Sequence, residues 1–214
     1  MNKNIKSYTH VALILDASGS MSRLKQTTIS TMKEFFSSLK SEEDKTIIDL
    51  WQFNSRVVHL INGEDIEKGA SEAIENYGTG GFTALNDAIC IGIDSLGAKF
   101  AQMEEADRPD AVVFAILTDG CENASTEFSR EDVKARIQHQ TEKYSWTFRF
   151  LAANQDAVLT GSTMGLSAEA CTTIEATDEG VHHMQMNLSE FCSGEVRYKA
   201  RKSRLKRLDR FLNV

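Results

Sequence analysis

The chain has a single proline, Pro109, and no low-complexity stretch, so no segment reads as a linker between domains. Its four cysteines, Cys90, Cys121, Cys171 and Cys192, are widely scattered. They form no CxxC pair and have no histidine at zinc spacing, which argues against a zinc site. They read as free thiols in a reducing cytosol, some of them small core residues. No apolar run approaches the ~20 residues needed to span a bilayer. The N-terminal MNKNIKSYTH is not followed by a small-residue cleavage site, and the apolar stretch after it ends in an acid. That stretch reads as a core strand rather than a signal sequence, which points to the cytoplasm and to no membrane association.

What is present is ordinary globular material. Of 214 residues, 41% are hydrophobic and 26% charged, which suits one domain burying roughly 70% of its unfolded surface. The net charge of −7 is unevenly spread. From Arg197 onward eight basic residues face Asp209 alone, so that end carries +7 and the remainder −14. The expected division is a domain over 1–194 and a basic segment over 195–214. Leu205, Leu208 and Leu212, with Phe211 beside them, give that segment the spacing of an amphipathic helix. It could pack on the domain, dock a second protein or contact nucleic acid. The acidic body disfavours the last.

Short apolar runs alternate with amphipathic stretches. Residues 8–16 and 111–118 are continuous apolar runs, the pattern of strands buried on both faces. Residues 45–54 and 56–61 read as a strand pair joined by a tight turn at Asn54-Ser55, with 56–61 an antiparallel edge. Residues 147–153 and 170–176 complete the strands. Helical spacing covers 22–40, 84–100, 129–143, 156–165 and 179–193, the last punctuated by Ser193-Gly194. The pattern predicts a doubly wound α/β fold, a mostly parallel sheet with helices on both faces. Such sheets bind ligands at the carboxyl ends of their strands, near the switch in strand order.

Both central runs end there in aspartate. D-A-S-G-S follows the first, with Asp16, Ser18 and Ser20; T-D-G closes the second, with Asp119. Between them Y-G-T-G-G-F-T opens a helix at Thr83, placed where a helix cap would sit. Two carboxylates and three hydroxyls are all hard oxygen donors, which suit Mg²⁺, with Mn²⁺ or Ca²⁺ as alternatives. Few charges and several neutral hydroxyls leave such a metal electron-poor. Asp87 and Asn123 stand close enough in sequence to orient these groups, or to serve caps and turns.

In order, D-x-S-x-S, a helix-opening threonine and T-D-G resemble the metal-ion-dependent adhesion site of von Willebrand factor A domains. The strings L-T-D-G-C-E-N and F-L-A-A-N-Q-D-A are similar to those of stand-alone bacterial and bacteriophage members. The resemblance implies that Ser18 and Ser20 ligate the ion directly and that Asp16 acts through water. It implies that Thr83 and Asp119 alternate between direct and water-bridged contact. It further implies a protein partner whose Asp or Glu completes the coordination, in an adaptor or assembly role. The alternative is a structural component in which the metal rigidifies the loops.

Catalysis is the weaker reading. An aspartyl phosphotransferase wants a second acid where Ser18 stands. A G-x-S-x-G hydrolase wants a glycine before the serine, and a histidine base that nothing brings to Ser18. Residues 78–81 lack the G-K-[ST] ending of a nucleotide loop. His182 and His183 point to different faces of a helix and read as surface residues.

Overall fold

The computed structural model describes residues 6–66, 69–153 and 156–212. In chain order the elements are β1 (Ser7–Asp16), α1 (Lys25–Ser38), β2 (Asp44–Phe53), β3 (Val57–Asp65), α2 (Ala70–Ala73), α3 (Leu85–Ala101), β4 (Ala111–Thr118), α4 (Arg130–Tyr144), β5 (Thr147–Ala153), α5 (Ala157–Thr163), β6 (Cys171–Ile174), α6 (Asp178–Phe191) and α7 (Arg197–Leu212). Among the described residues the six strands form one sheet in the order β3-β2-β1-β4-β5-β6. All neighbours are parallel except β2 and β3, which pair antiparallel. The doubly wound fold expected from the run pattern is the one observed, with its antiparallel edge strand.

The alternation of side chains along each strand supplies two cores. Val11, Leu13 and Leu15 of β1, with Val113, Ala115 and Leu117 of β4, pack under α1 and α6 against Met32, Phe35, Met184 and Leu188. Ala12, Ile14, Phe114 and Ile116 turn the other way, under α3 and α4 against Leu85, Ile89, Ile93 and Ile137. Residues 11–15 of β1 and 112–117 of β4 have no solvent face, which is why those stretches are unbroken apolar runs. Gly92 lets α3 lie close to the sheet, since a Cβ there would fall 2.8 Å from Ile14 Cδ1.

Several boundaries differ from the sequence pattern. The expected helix over 22–40 begins as a tighter turn, Gly19–Leu24, before α1 proper. The edge strand runs on to Asp65, with register shifts against β2. Ser193-Gly194 does not stop the last helix: α6 continues through a π-helical turn, Cys192–Val196, into α7.

The α7 helix folds back under the N-terminal edge of the sheet, and of its described leucines Leu208 is half-buried while Leu205 faces solvent. Leu205 is 62% exposed, whereas Val196 and Ala200 are buried. The side chains of Phe211 and Leu212 lie outside the described ones. Arginines do the rest of the docking. Arg197 donates to the Leu39 carbonyl at 2.5 Å. Arg201 pairs with Glu43 and Asp44 at 2.7 and 3.1 Å, and Arg207 pairs with Asp110. Asp44 and Asp110 stand at the starts of β2 and β4, so basic residues of the tail neutralise acids of this same chain. Cys90, Cys171 and Cys192 are buried, Cys121 is exposed, and all four are free thiols.

Candidate metal centre

The order β3-β2-β1-β4 sends the chain to opposite sides of β1, and the crevice at the C-terminal ends of β1 and β4 is the switch point. Asp16 ends β1 and Asp119 follows β4 by one residue. Asp16 is fully buried, Ser18, Thr83 and Asp119 are nearly so, and Ser20 is exposed. The five predicted residues thus grade from a dry base to a solvent rim.

Hydrogen bonds tie them together. Asp16 Oδ1 accepts the Ser18 N–H at 2.7 Å, and Asp16 Oδ2 accepts the Thr118 hydroxyl at 2.5 Å. The Ser18 and Ser20 hydroxyl oxygens lie 3.0 Å apart, and Ser20 donates to Asp119 Oδ1 at 2.6 Å. Thr83 comes in from the side: a Cβ built on Gly120 would fall 3.1 Å from Thr83 Oγ1 and 3.8 Å from Asp16 Oδ2. All five residues that the sequence singled out therefore gather around one spot.

The glycine loop positions Thr83. Gly80 donates to the Ala17 carbonyl at 2.8 Å, and Gly19 donates to the Gly81 carbonyl at 3.0 Å, lacing the two loops together. Gly81 has φ +80°, and a Cβ there would strike Ser55 Oγ at 2.9 Å, so only glycine suits the turn.

Thr83 is not the helix cap. That position is Ala84, which makes no side-chain cap. The first amides of α3 are instead taken by the loop after β4. Asn86 N–H goes to Glu122 Oε2 at 2.8 Å and Asp87 N–H to Ser125 Oγ at 3.1 Å. The helix terminus therefore makes no claim on the Thr83 hydroxyl. Asn123 clasps the backbone of Thr83, accepting its N–H at 2.9 Å and donating its own to the Thr83 carbonyl at 3.0 Å. Asp87 orients no hydroxyl of the site. Its carboxylate accepts the amides of Thr126, Glu127 and Phe128 and so pins the 121–129 loop. Burial alone would raise the Glu122 carboxyl, but hydrogen bonds from Ser125, Asn86 and Ala124 hold it below its ordinary range.

Two supports escaped the sequence reading. Thr118 was visible only as part of T-D-G, yet its hydroxyl fixes Asp16. Tyr77, wholly buried, donates its phenol to the Asp16 backbone carbonyl. A lone tyrosine opening a glycine-rich run was the available signal.

The electrostatics favour a cation. Burial pushes the Asp16 carboxyl above its ordinary range, against hydrogen bonds from Thr118 and Ser18, and the Asp119 charge adds to the rise. Burial, then the charges of Asp16 and Asp119, push up the Tyr77 phenol as well. Burial is the larger cause of both shifts, and the negative charges of Asp16 and Asp119 add to it, a repulsion that a bound cation relieves. Among the described residues no group of three His, Cys, Asp or Glu side chains is arranged to hold a metal. A centre here must draw on hydroxyls, and an all-oxygen set fits Mg²⁺ or a similar hard ion.

A family model for the von Willebrand factor type A domain matches residues 10–185. The chain belongs to that family. Solved structures agree on the fold. Proximal thread matrix protein 1 from the mussel byssus superposes with TM-score 0.64 at 15% identity, over 87% of this chain and 46% of that one. This chain thus spans under half the length of that protein, which has also been solved with a zinc-occupied MIDAS motif. The pilus adhesin SpaC from Lactobacillus rhamnosus GG superposes at 0.62 and 13% identity, over 88% of this chain and 30% of that one. The vWF domain of the type V pili tip protein Mfa5 from Porphyromonas gingivalis superposes at 0.57 and 10% identity, over 86% and 96%. No curated protein sequence matches the chain. No described helix of this A domain is long and apolar enough to cross a membrane.

The histidines stand elsewhere. His10 and His59 both bond Asp49, at 2.7 and 2.6 Å, in the α3-side core. His182 and His183 are surface residues, their side chains 47% and 67% exposed.

Proposed function

We propose that this A domain is a metal-dependent protein-binding module rather than an enzyme, and that Asp16, Ser18, Ser20, Thr83 and Asp119 hold its ion, Mg²⁺ in preference to Mn²⁺ or Ca²⁺. The observation that carries this reading is the gradient of burial across one oxygen cluster. Its carboxylates are shielded, while Ser20 stands in solvent. Asp16 holds the Ser18 amide and Thr118 hydroxyl and so fixes the serine loop. Asn123 fixes Thr83, and Asp119 and Ser20 close the rim. Bound there, the cation supplies positive charge and an open position suited to an Asp or Glu carboxylate of a partner. No described histidine lies beside Ser18 to make it a nucleophile, which supports a binding role over hydrolysis.

The shared fold of the pilus adhesin SpaC and the pilus-tip protein Mfa5 supports a gripping role. Four free thiols support a reducing, cytoplasmic setting, and the bacterial or phage character rests on the strings around Asp119 and Ala152. Asn154 and Gln155 of the second string lie outside the described residues. Residues 1–194 form the gripping domain in this reading, with 195–214 as an appended segment whose helix, α7, is tied beneath it.

The test is capture of partner protein in Mg²⁺, in EDTA and with Asp119→Ala. A partner held in Mg²⁺ and lost in the other two supports the proposal. Capture that survives EDTA overturns it. If metal raises thermal stability but leaves capture unchanged, the ion rigidifies loops, and the structural-component alternative holds.

A further inference from the structure

We infer that a second ligand site lies at the opposite end of the sheet, in a cavity of about 820 Å³ beneath α7 that takes a small amphipathic anion, an aromatic or aliphatic body carrying a phosphate, sulfonate or carboxylate. The volume falls within the roughly 300–1,000 Å³ of small-molecule sites. The cavity is distant from the oxygen cluster: it includes Ala111 at the start of β4, whereas Asp119 follows its end, about 25 Å away at the strand rise.

Its two sides differ in chemistry. One is apolar and fixed. Phe100, Val112 and Trp146 line it and are each less than a tenth exposed. Trp146 is held edge-on to Phe100 at 5.8 Å and stacked with Phe114 at 6.4 Å, so its ring is a set surface and not a loose flap. The other side is α7, where Lys199, Lys202 and Lys206 follow at spacings of three and four and so share one helical face. All three are exposed at the cavity mouth, with Ser203 among them.

Among the described lining residues, none cancels the charge of Lys202 and Lys206. The cavity's one acid among the described residues is Asp110, whose carboxylate is already engaged by Arg207, by the Tyr8 amide at 2.9 Å and by Arg204 at 4.0 Å. Helices α3 and α4 both end at the cavity, and their C-terminal dipoles repel anions. The anionic group therefore sits on the α7 side among the lysines, and the apolar body lies on Trp146 and Phe100. The −14 carried by the rest of the chain disfavours a polyanion but leaves a small ligand little affected. The lysines have a plainer use as complements to those two helix ends, and in that case no ligand binds.

The probe is anilinonaphthalene sulfonate titrated into the full chain, read by its fluorescence and by energy transfer from tryptophan. One saturable site per chain is expected, weakening as salt rises. Lys202→Glu with Lys206→Glu, both exposed and remote from the core, lowers affinity at least about tenfold, as loss of charge-assisted contacts implies. Trp146→Phe removes most of the energy transfer and Trp51→Phe does not. Binding that ignores the charge reversal, transfer that follows Trp51, or no saturable binding overturns the inference. Displacement by a mononucleotide or by a fatty acid then tells which source of the anion the site prefers. Asp119→Ala leaves this binding unchanged, so the outcome is independent of the metal centre.

Discussion

Replacing Asp49 with asparagine removes a buried charge that ties His10, His59 and Lys99 together in the α3-side core. Its fully buried carboxylate accepts from His10 at 2.7 Å, from His59 at 2.6 Å and from Lys99 at 3.0 Å. Burial alone would raise this carboxyl, but the bonds from His10 and His59 hold it well below the ordinary carboxylate range. His10 is lowered, because burial outweighs the pull of Asp49, so it stays neutral. That fixes its tautomer: Nε2–H donates to Asp49, and Nδ1 accepts the Tyr8 phenol at 2.8 Å. Asparagine leaves Lys99 without its partner and turns an N–H₂ toward a donor. Breaking a buried charge network in this way costs about 3–5 kcal/mol. For a chain of this size that lowers Tm by roughly 10 °C.

The pH dependence has a definite sign. Below the ordinary histidine value of 6.5, the unfolded chain takes up a proton on His10 that the native chain does not, so stability falls as pH drops. Below 3.8 the unfolded chain also protonates Asp49 while the native chain keeps it charged, and the loss steepens. Urea unfolding between pH 3 and pH 8 measures both. Asp49→Asn should lower the whole curve and soften the steepening, of which Glu122 keeps a part. A cost under about 1 kcal/mol with an unchanged acid limb would refute the network's role.

Other substitutions probe the site and the tail. Gly120→Ala puts a methyl 3.1 Å from Thr83 Oγ1 and should weaken Mg²⁺ binding about tenfold, with little change in melting temperature. Asn123→Ala removes the Oδ1 that accepts the Thr83 N–H while keeping the backbone bond, and should cost about tenfold in metal affinity, read by calorimetry. Arg207→Ala strips the main cation from Asp110, whose side chain is 1% exposed, and should destabilise by about 1–3 kcal/mol in urea.

The strands and the five-residue cluster were legible for physical reasons. Parallel strands covered on both faces must be apolar throughout, and oxygen donors at strand ends fall together wherever strand order switches. Other features depended on contacts distant in sequence. Thr83 looked like a cap because the residues that satisfy α3, Glu122 and Ser125, come from a loop beyond β4. The leucines of α7 gave it amphipathic spacing, but spacing could not show that Arg201 and Arg207 tie the helix to Asp44 and Asp110 at the starts of β2 and β4. His10 and Asp49 interrupt otherwise apolar strands. That was a signal of a buried polar network, though spacing alone could not pair them across β1 and β2.

The central claim is that five oxygen-bearing residues on three loops make one divalent-metal centre. Calorimetric titration of Mg²⁺ and Mn²⁺ into the metal-stripped chain, beside Asp119→Ala and Ser18→Ala with Ser20→Ala, tests it most directly. One saturable site per chain, lost in both variants while their folds survive, is the predicted result. Undiminished metal binding by Asp119→Ala, or no saturable binding by the unaltered chain, would contradict it.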